Sequence, residues 1–166
     1  MLHTTADRRI TAPFPDGPGW TPVEDCGQTS GPVVATTLRC RRVVEGEFLF
    51  YLAKDYSVPR DQITDAETLT RQVFVKTYER MFSQVRYDRI SSAQAHGVTW
   101  VEAGIQMVHP RLGALAKLER VATVDNHVLI ISLEGAQADV ARHWPTSGEA
   151  WMNGVRFARL ATPPAP

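Results

Sequence analysis

Between residues 98 and 136 three long runs rich in β-branched and apolar residues follow one another with only short turn sequences between them, and this constrains the fold more than any other feature. The runs are 98 to 108, 114 to 124 and "HVLIISLE" from His127; "HPRLG" and Asp125-Asn126 separate them. Short polar loops of this kind join antiparallel strands. With Asp125 and Asn126 as a two-residue loop, Val124 stands opposite His127, Ala122 opposite Leu129 and Arg120 opposite Ile131. The apolar runs then face each other, so the pairing is self-consistent. A three-stranded antiparallel meander is expected here.

The first half reads as more strands and one helix. A short strand is expected near Arg8 to Ala12, followed by a long surface loop over residues 13 to 32, where five prolines and four glycines interrupt any regular element. "VVATTLRCRRVV" (33 to 44) and "EFLFYLAKD" (47 to 55), separated by Glu45-Gly46, read as a hairpin. In the second of these strands both alternating sets are apolar, which predicts cover on both faces. At "TDAETL", Thr64 and Glu67 have the spacing of a capping box. Leu69, Val73, Phe74, Tyr78, Met81, Phe82 and Val85 then recur at helical spacing, so one helix face lies on the sheet. "AQADVARHW" and "TSGEAWMNGVRF" suggest one or two short helices around Pro145. The proline-rich end, 161 to 166, is expected to be frayed.

The chain has 166 residues, 43% of them hydrophobic, which suits a single domain with one substantial core. Eighteen basic residues balance eighteen acidic ones, so no global field draws in nucleic acid or an anionic membrane. No run of about 18 apolar residues occurs and the N-terminus lacks a signal-peptide core, so a cytoplasmic location and no membrane partner are expected. Cys26 and Cys40 are expected to be free thiols.

No cofactor, metal or catalytic set emerges from the residues. As a strand, 96 to 109 would separate His96 from His109 by roughly 43 Å at about 3.3 Å per residue, too far for shared metal coordination. These two histidines and His127 read as ordinary turn or edge residues. No G-x-S-x-G, Gly-Lys or G-x-G-x-x-G sequence is present. The basic cluster Arg39, Arg41 and Arg42 splits across two faces of its strand.

Trp100 shares a face with Glu102, Gly104, Gln106 and Val108, opposite an apolar set of Val101, Ala103, Ile105 and Met107. A flat ring, a gap at Gly104 and two hydrogen-bonding side chains suit a groove for another polypeptide. The same face could equally be half-covered by the chain's own C-terminal helix through Trp144 and Trp151.

The order of elements, with "HGVTWVEAGIQM" and "ERVATVDNHVLIISLEG" at their places in it, resembles the PsbP-like superfamily, which includes Mog and DcrB-related proteins. The likeness runs from about Arg8 to Leu160. It implies an α+β fold, an antiparallel β-sheet with helices on both faces (an αβα sandwich), and a non-enzymatic protein-binding role. Small bacterial members that act as chaperones for Rhs-type effectors of type VI secretion are similar in size. This implies a polypeptide partner, a homodimer, and Trp100, Gln106 and Leu38 at comparable groove positions. The alternatives are a small-molecule-binding or enzymatic domain with a pocket between sheet and N-terminal loop, and a structural subunit of a larger assembly.

Overall fold

A computed structural model describes residues 1–160, Arg89 in its backbone only. The frayed end expected over 161 to 166 lies outside the described residues. Among them, β3 (Trp20–Ser30), β4 (Val33–Arg42), β5 (Leu49–Ser57), β6 (Ser83–Ala95), β7 (Val98–His109), β8 (Gly113–Val124) and β9 (His127–Ala136) form one antiparallel sheet in the order β3-β4-β5-β9-β8-β7-β6. A small second sheet joins β1 (Leu2–Thr4), β2 (Ile10–Pro13) and β10 (Arg156–Phe157). Helical runs over 66–81 and 137–154 lie on opposite faces of the large sheet, each with a wider π-helical segment inside it, Leu69–Phe74 and Trp144–Gly148.

The meander forms with the expected register, Val124 opposite His127, Ala122 opposite Leu129 and Arg120 opposite Ile131. Three expectations need correction. The loop over 13 to 32 is largely strand β3, paired along β4 from Trp20 to Ser30. An edge strand tolerates Pro22 because one side of its backbone needs no ladder partner, and Gly27, at φ 70°, sits in a bulge between Asp25 and Gln28. The helix ends at Met81, and Ser83 opens a long outer strand instead of continuing to Val85. The helix cap is Asp65, whose Oδ1 accepts from the Thr68 amide at 2.9 Å, while Glu67 pairs with Arg71 one turn on. A charged acceptor one residue nearer the helix displaces the Thr64 hydroxyl.

The main core lies beneath the second helical run. Leu38, Cys40, Tyr51, Leu129, Ile131, Leu133, Trp100 and Trp151 meet there. On the other face, Val101, Ala103, Ile105 and Met107 pack beneath the first run, as their alternation predicts. Gly135 lets β9 approach β5 closely: a Cβ there would stand 2.0 Å from the Phe48 carbonyl.

Both cysteines are free; Cys26 is exposed and Cys40 buried. Burial pushes the Cys40 thiol up to about 11. Under native conditions a thiol reagent at mildly alkaline pH is expected to label Cys26 alone, with Cys40 labelled only on unfolding, as read by mass spectrometry.

Glu47 ties the second helical run to the strands, accepting from Arg42 at 2.8 Å and lying 3.3 Å from His143 Nε2 and 3.2 Å from Arg142. Burial opposes its ionisation, but Arg42 first and His143 next outweigh that and lower its pKa below the ordinary 4.5. A carboxyl with a lowered folded pKa stabilises the fold above its unfolded value and loses that contribution as pH falls through the folded value. Glu47→Gln should therefore be less stable at neutral pH by about 1–2 kcal/mol and show a flatter loss of stability below pH ~4.5, measured by urea titration at several pH values.

Candidate functional site

The second helical run does not cover its face of the sheet evenly. It packs over β8, β9 and β5, leaving a groove along the outer strands. Two hollows of about 280 and 340 Å³ lie in this groove and share Glu102, Arg120 and Met152 in their walls. The first is lined mainly by apolar side chains, among them Trp100, Ile131, Val155, Phe157 and Leu160. The second is lined by Asp88, Gly104, Leu118, Trp144 and Glu149. One end of the groove is greasy and the other carries more carboxylates than cations.

Alternation along β7 positions these groups: Trp100, Glu102 and Gly104 face the groove, with Gln106 on the same face beyond it, while β8 supplies Leu118 and Arg120 by register. Glu102 and Arg120 sit directly opposite and pair at 2.6 Å, and Arg120 also donates to Asn153 at 2.6 Å, which fastens the sheet to the second helical run. Gln106 accepts from Arg86 at 2.6 Å and donates to Asp88 at 2.9 Å, both on β6. A Cβ on Gly104 would meet Asp88 and Leu118 at 3.7 Å, so the wall there is formed by neighbouring side chains, with room above the glycine.

The four residues expected to meet a partner are thus placed unequally. Leu38 is fully buried beneath the second helical run and offers no surface. Trp100 is 4% exposed, stacked on Phe157 at 6.2 Å, and its indole donates to the Ala95 carbonyl. It shapes the floor of the greasy hollow. Both Glu102 and Gln106 are half-buried; Glu102 lines both hollows, and Gln106 lies farther along β7, in the wall of neither. Phe157 of β10 covers the Trp100 ring, and Trp144, Glu149 and Met152 of the second helical run border the hollow at Gly104, so the chain's own C-terminal elements cover much of this face.

Arg86, Asp88 and Asn153 have no counterpart in the sequence reading, because β6 is not legible as a strand. His96 turns the chain between β6 and β7 at φ 54° and borders the groove, and His109 accepts amides of its own turn at 3.1 and 3.2 Å. His127 departs from expectation. It is buried, with Nδ1 2.6 Å from Asp55 and 3.2 Å from Arg9, whose guanidinium also pairs with Asp55 at 2.8 Å. This network bolts the small sheet to the large one, and its buried charges have partners. Asp55 lies 72 positions away in the chain, so His127 alone carries no signal of it.

The N-terminal segment, being a paired strand, does not close a pocket as a loop would. A hollow of about 310 Å³ remains beside its far end, bordered by Asp25, Thr37, Arg39 and Lys54. Among the described residues no helix is long and apolar enough to cross a membrane, and no three His, Cys, Asp or Glu side chains converge as metal ligands.

No family model matches the chain, and no curated protein matches it by sequence. A crystal structure of a Pseudomonas aeruginosa protein of unknown function is 19% identical and covers 100% of this chain and 97% of its own, with a TM-score of 0.45, too low to bear on the fold. The solution structure of the cyanobacterial PsbP protein, CyanoP, from Synechocystis sp. PCC 6803 is similar over 95% of this chain and 91% of that one, with 13% identity and a TM-score of 0.66. At that identity the likeness concerns architecture alone, and the chain has the PsbP-like fold.

Proposed function

We propose that the protein is a non-enzymatic adaptor or chaperone that binds an extended polypeptide segment in the groove beside β7, and that the segment belongs to a secreted effector, as chaperones of type VI secretion hold theirs. The observation that carries this reading is the joining of two hollows at the Glu102–Arg120 pair, apolar on one side and carboxylate-rich on the other. From Trp100 to Gly104 the groove follows the strand for about 13 Å. That length suits a few residues of an extended chain, with a large apolar side chain over Trp100 and Met152 and a lysine or arginine about four residues away, near Asp88 and Glu149. Buried apolar anchoring with a polar rim is the usual division of labour in such contacts.

Selection of dodecapeptides from a displayed library tests this. Binders should share the apolar-then-basic spacing. Gly104→Ala should bind them as the parent does and change stability by no more than about 0.5 kcal/mol, because its Cβ makes ordinary contacts. Gly104→Trp fills the carboxylate-rich hollow and should weaken binding at least tenfold. Binders that ignore Gly104→Trp would count against the groove.

A further inference from the structure

The first helical run leaves part of its own face of the sheet uncovered. It packs over β7, β8 and β9, and among the described residues no side chain of β3 or β4 joins the apolar clusters beneath it. Two hollows meet along this border. A cleft of about 290 Å³ under the run is walled by Leu52, Leu69, Phe74, Val128 and Ile130, and a polar hollow of about 310 Å³ lies beside it over β3 to β5. Val33, Lys54 and Tyr56 line both. Together they reach the size of an ordinary ligand pocket, about 300 to 1,000 Å³.

Register builds this junction. Thr37 stands between Asp25 on one side and Lys54 on the other, Arg39 follows on the same face of β4, and Lys54 stands opposite Ile130 at the edge of the cleft. One end is therefore apolar, and the other offers cations together with the hydroxyls of Ser30 and Thr37. Leu69 and Phe74, in the cleft wall, begin and end the π-helical segment, a form of helix frequent at functional sites.

The charges select the ligand. Among the described residues neither Arg39 nor Lys54 has a carboxylate within ion-pair distance; Arg39 lies over the Phe50 ring at 5.3 Å and Lys54 over the Tyr56 ring at 6.0 Å. Asp25, the one carboxylate in the polar wall, is exposed and pairs with neither. The other two charges in the cleft, Lys117 and Glu119, hold each other at 3.1 Å. Lys54 is half-buried, so it has given up part of its water without gaining a counter-ion.

We propose that the joined hollows bind a single-chain amphipathic anion, its carboxylate held at Arg39 and Lys54 and its alkyl chain laid beneath the first helical run. The carboxylate accepts charge-assisted hydrogen bonds from both cations. A neutral head forgoes that attraction, and an ammonium head meets repulsion. The chain is held by burial, at about fourfold in affinity for each methylene fully covered.

The site lies on the face opposite the polypeptide groove, so either can fail without the other. Amide shift mapping by NMR of the full chain, titrated with octanoate below its micelle threshold and with octanol, octylammonium and acetate, tests it. Saturable shifts with octanoate are expected at residues 30–39, 52–56, 69–77 and 128–130, with octanol about fivefold weaker, octylammonium weaker still, and acetate too weak to saturate. Lys54→Gln should weaken octanoate about fivefold and leave octanol unchanged. Should Lys54→Gln fail to fold, Arg39→Gln, at an exposed position, makes the same comparison. Octanol or octylammonium binding as tightly as octanoate, no saturation, an unchanged octanoate affinity in the folded variant, or shifts mapping to the Trp100 groove would overturn the proposal.

Discussion

Trp151→Ala is expected to lower the unfolding free energy by about 4 kcal/mol, and to move the urea midpoint by roughly 2 M for a slope near 2 kcal/mol/M. Trp151 is 1% exposed and stands at one end of an aromatic row, with its ring 5.3 Å from Tyr51, which in turn meets Trp20 edge-on at 4.8 Å. Its indole also donates to the Pro13 carbonyl at 2.8 Å, joining the second helical run to the small sheet. Truncation therefore opens a cavity and strands a partly buried carbonyl at once. Domain stabilities of 5–15 kcal/mol leave little after such a loss. Because Met152, the next residue, lines both hollows, the variant should also lose peptide binding. A midpoint within about 0.5 M of the parent would show that the aromatic row does not hold the helix down.

Lys117→Met is expected to cost about 3–5 kcal/mol, and the second change Glu119→Leu to restore most of it. Burial works against the Lys117 ammonium, but Glu119 first and Glu134 next outweigh it and hold its pKa well above that of an ordinary lysine. Removing the lysine leaves Glu119, which is 2% exposed, as a buried charge with only the Tyr78 hydroxyl to hold it. Removing both charges leaves an apolar layer continuous with Val121 and Ile130, while Glu134, 31% exposed, can turn to water. A double-mutant cycle by urea denaturation measures the coupling. Additive losses in the two single variants would contradict a paired, desolvated charge.

The parts of the fold legible in the sequence are those where turn length and alternation act together. A two-residue loop at Asp125-Asn126 pins β8 against β9, and the clean alternation of β7 assigns its two faces. β6 escapes because two bulges break its alternation and because the helical spacing runs on through Phe82 to Val85, inside the strand. β3 is hidden by Pro22 and Gly27, which an exposed edge accommodates and an interior strand would not. With β6 go the partners of Gln106, Arg86 and Asp88, so the outer wall of the groove is invisible in the sequence. Lys117 and Glu119 carry a fainter signal. They share a face of β8 with Leu115 and Val121, and the β8–β9 register places Glu119 against Ser132, so both charges face inward. A Lys-x-Glu step on a strand resembles a solvated face unless its apolar flanks are weighed. Leu38 is misplaced for a different reason: alternation says which face a residue is on, and it does not say what covers that face.

The most direct test of the groove is hydrogen exchange of the full chain with and without its best selected peptide. Protection is expected in the outer strands over 86–91 and 102–106 and in the helical segment 149–154, and it should disappear in Gly104→Trp. Protection confined to β3 or to the first helical run, or no peptide that protects at all, would contradict a polypeptide-binding groove beside β7.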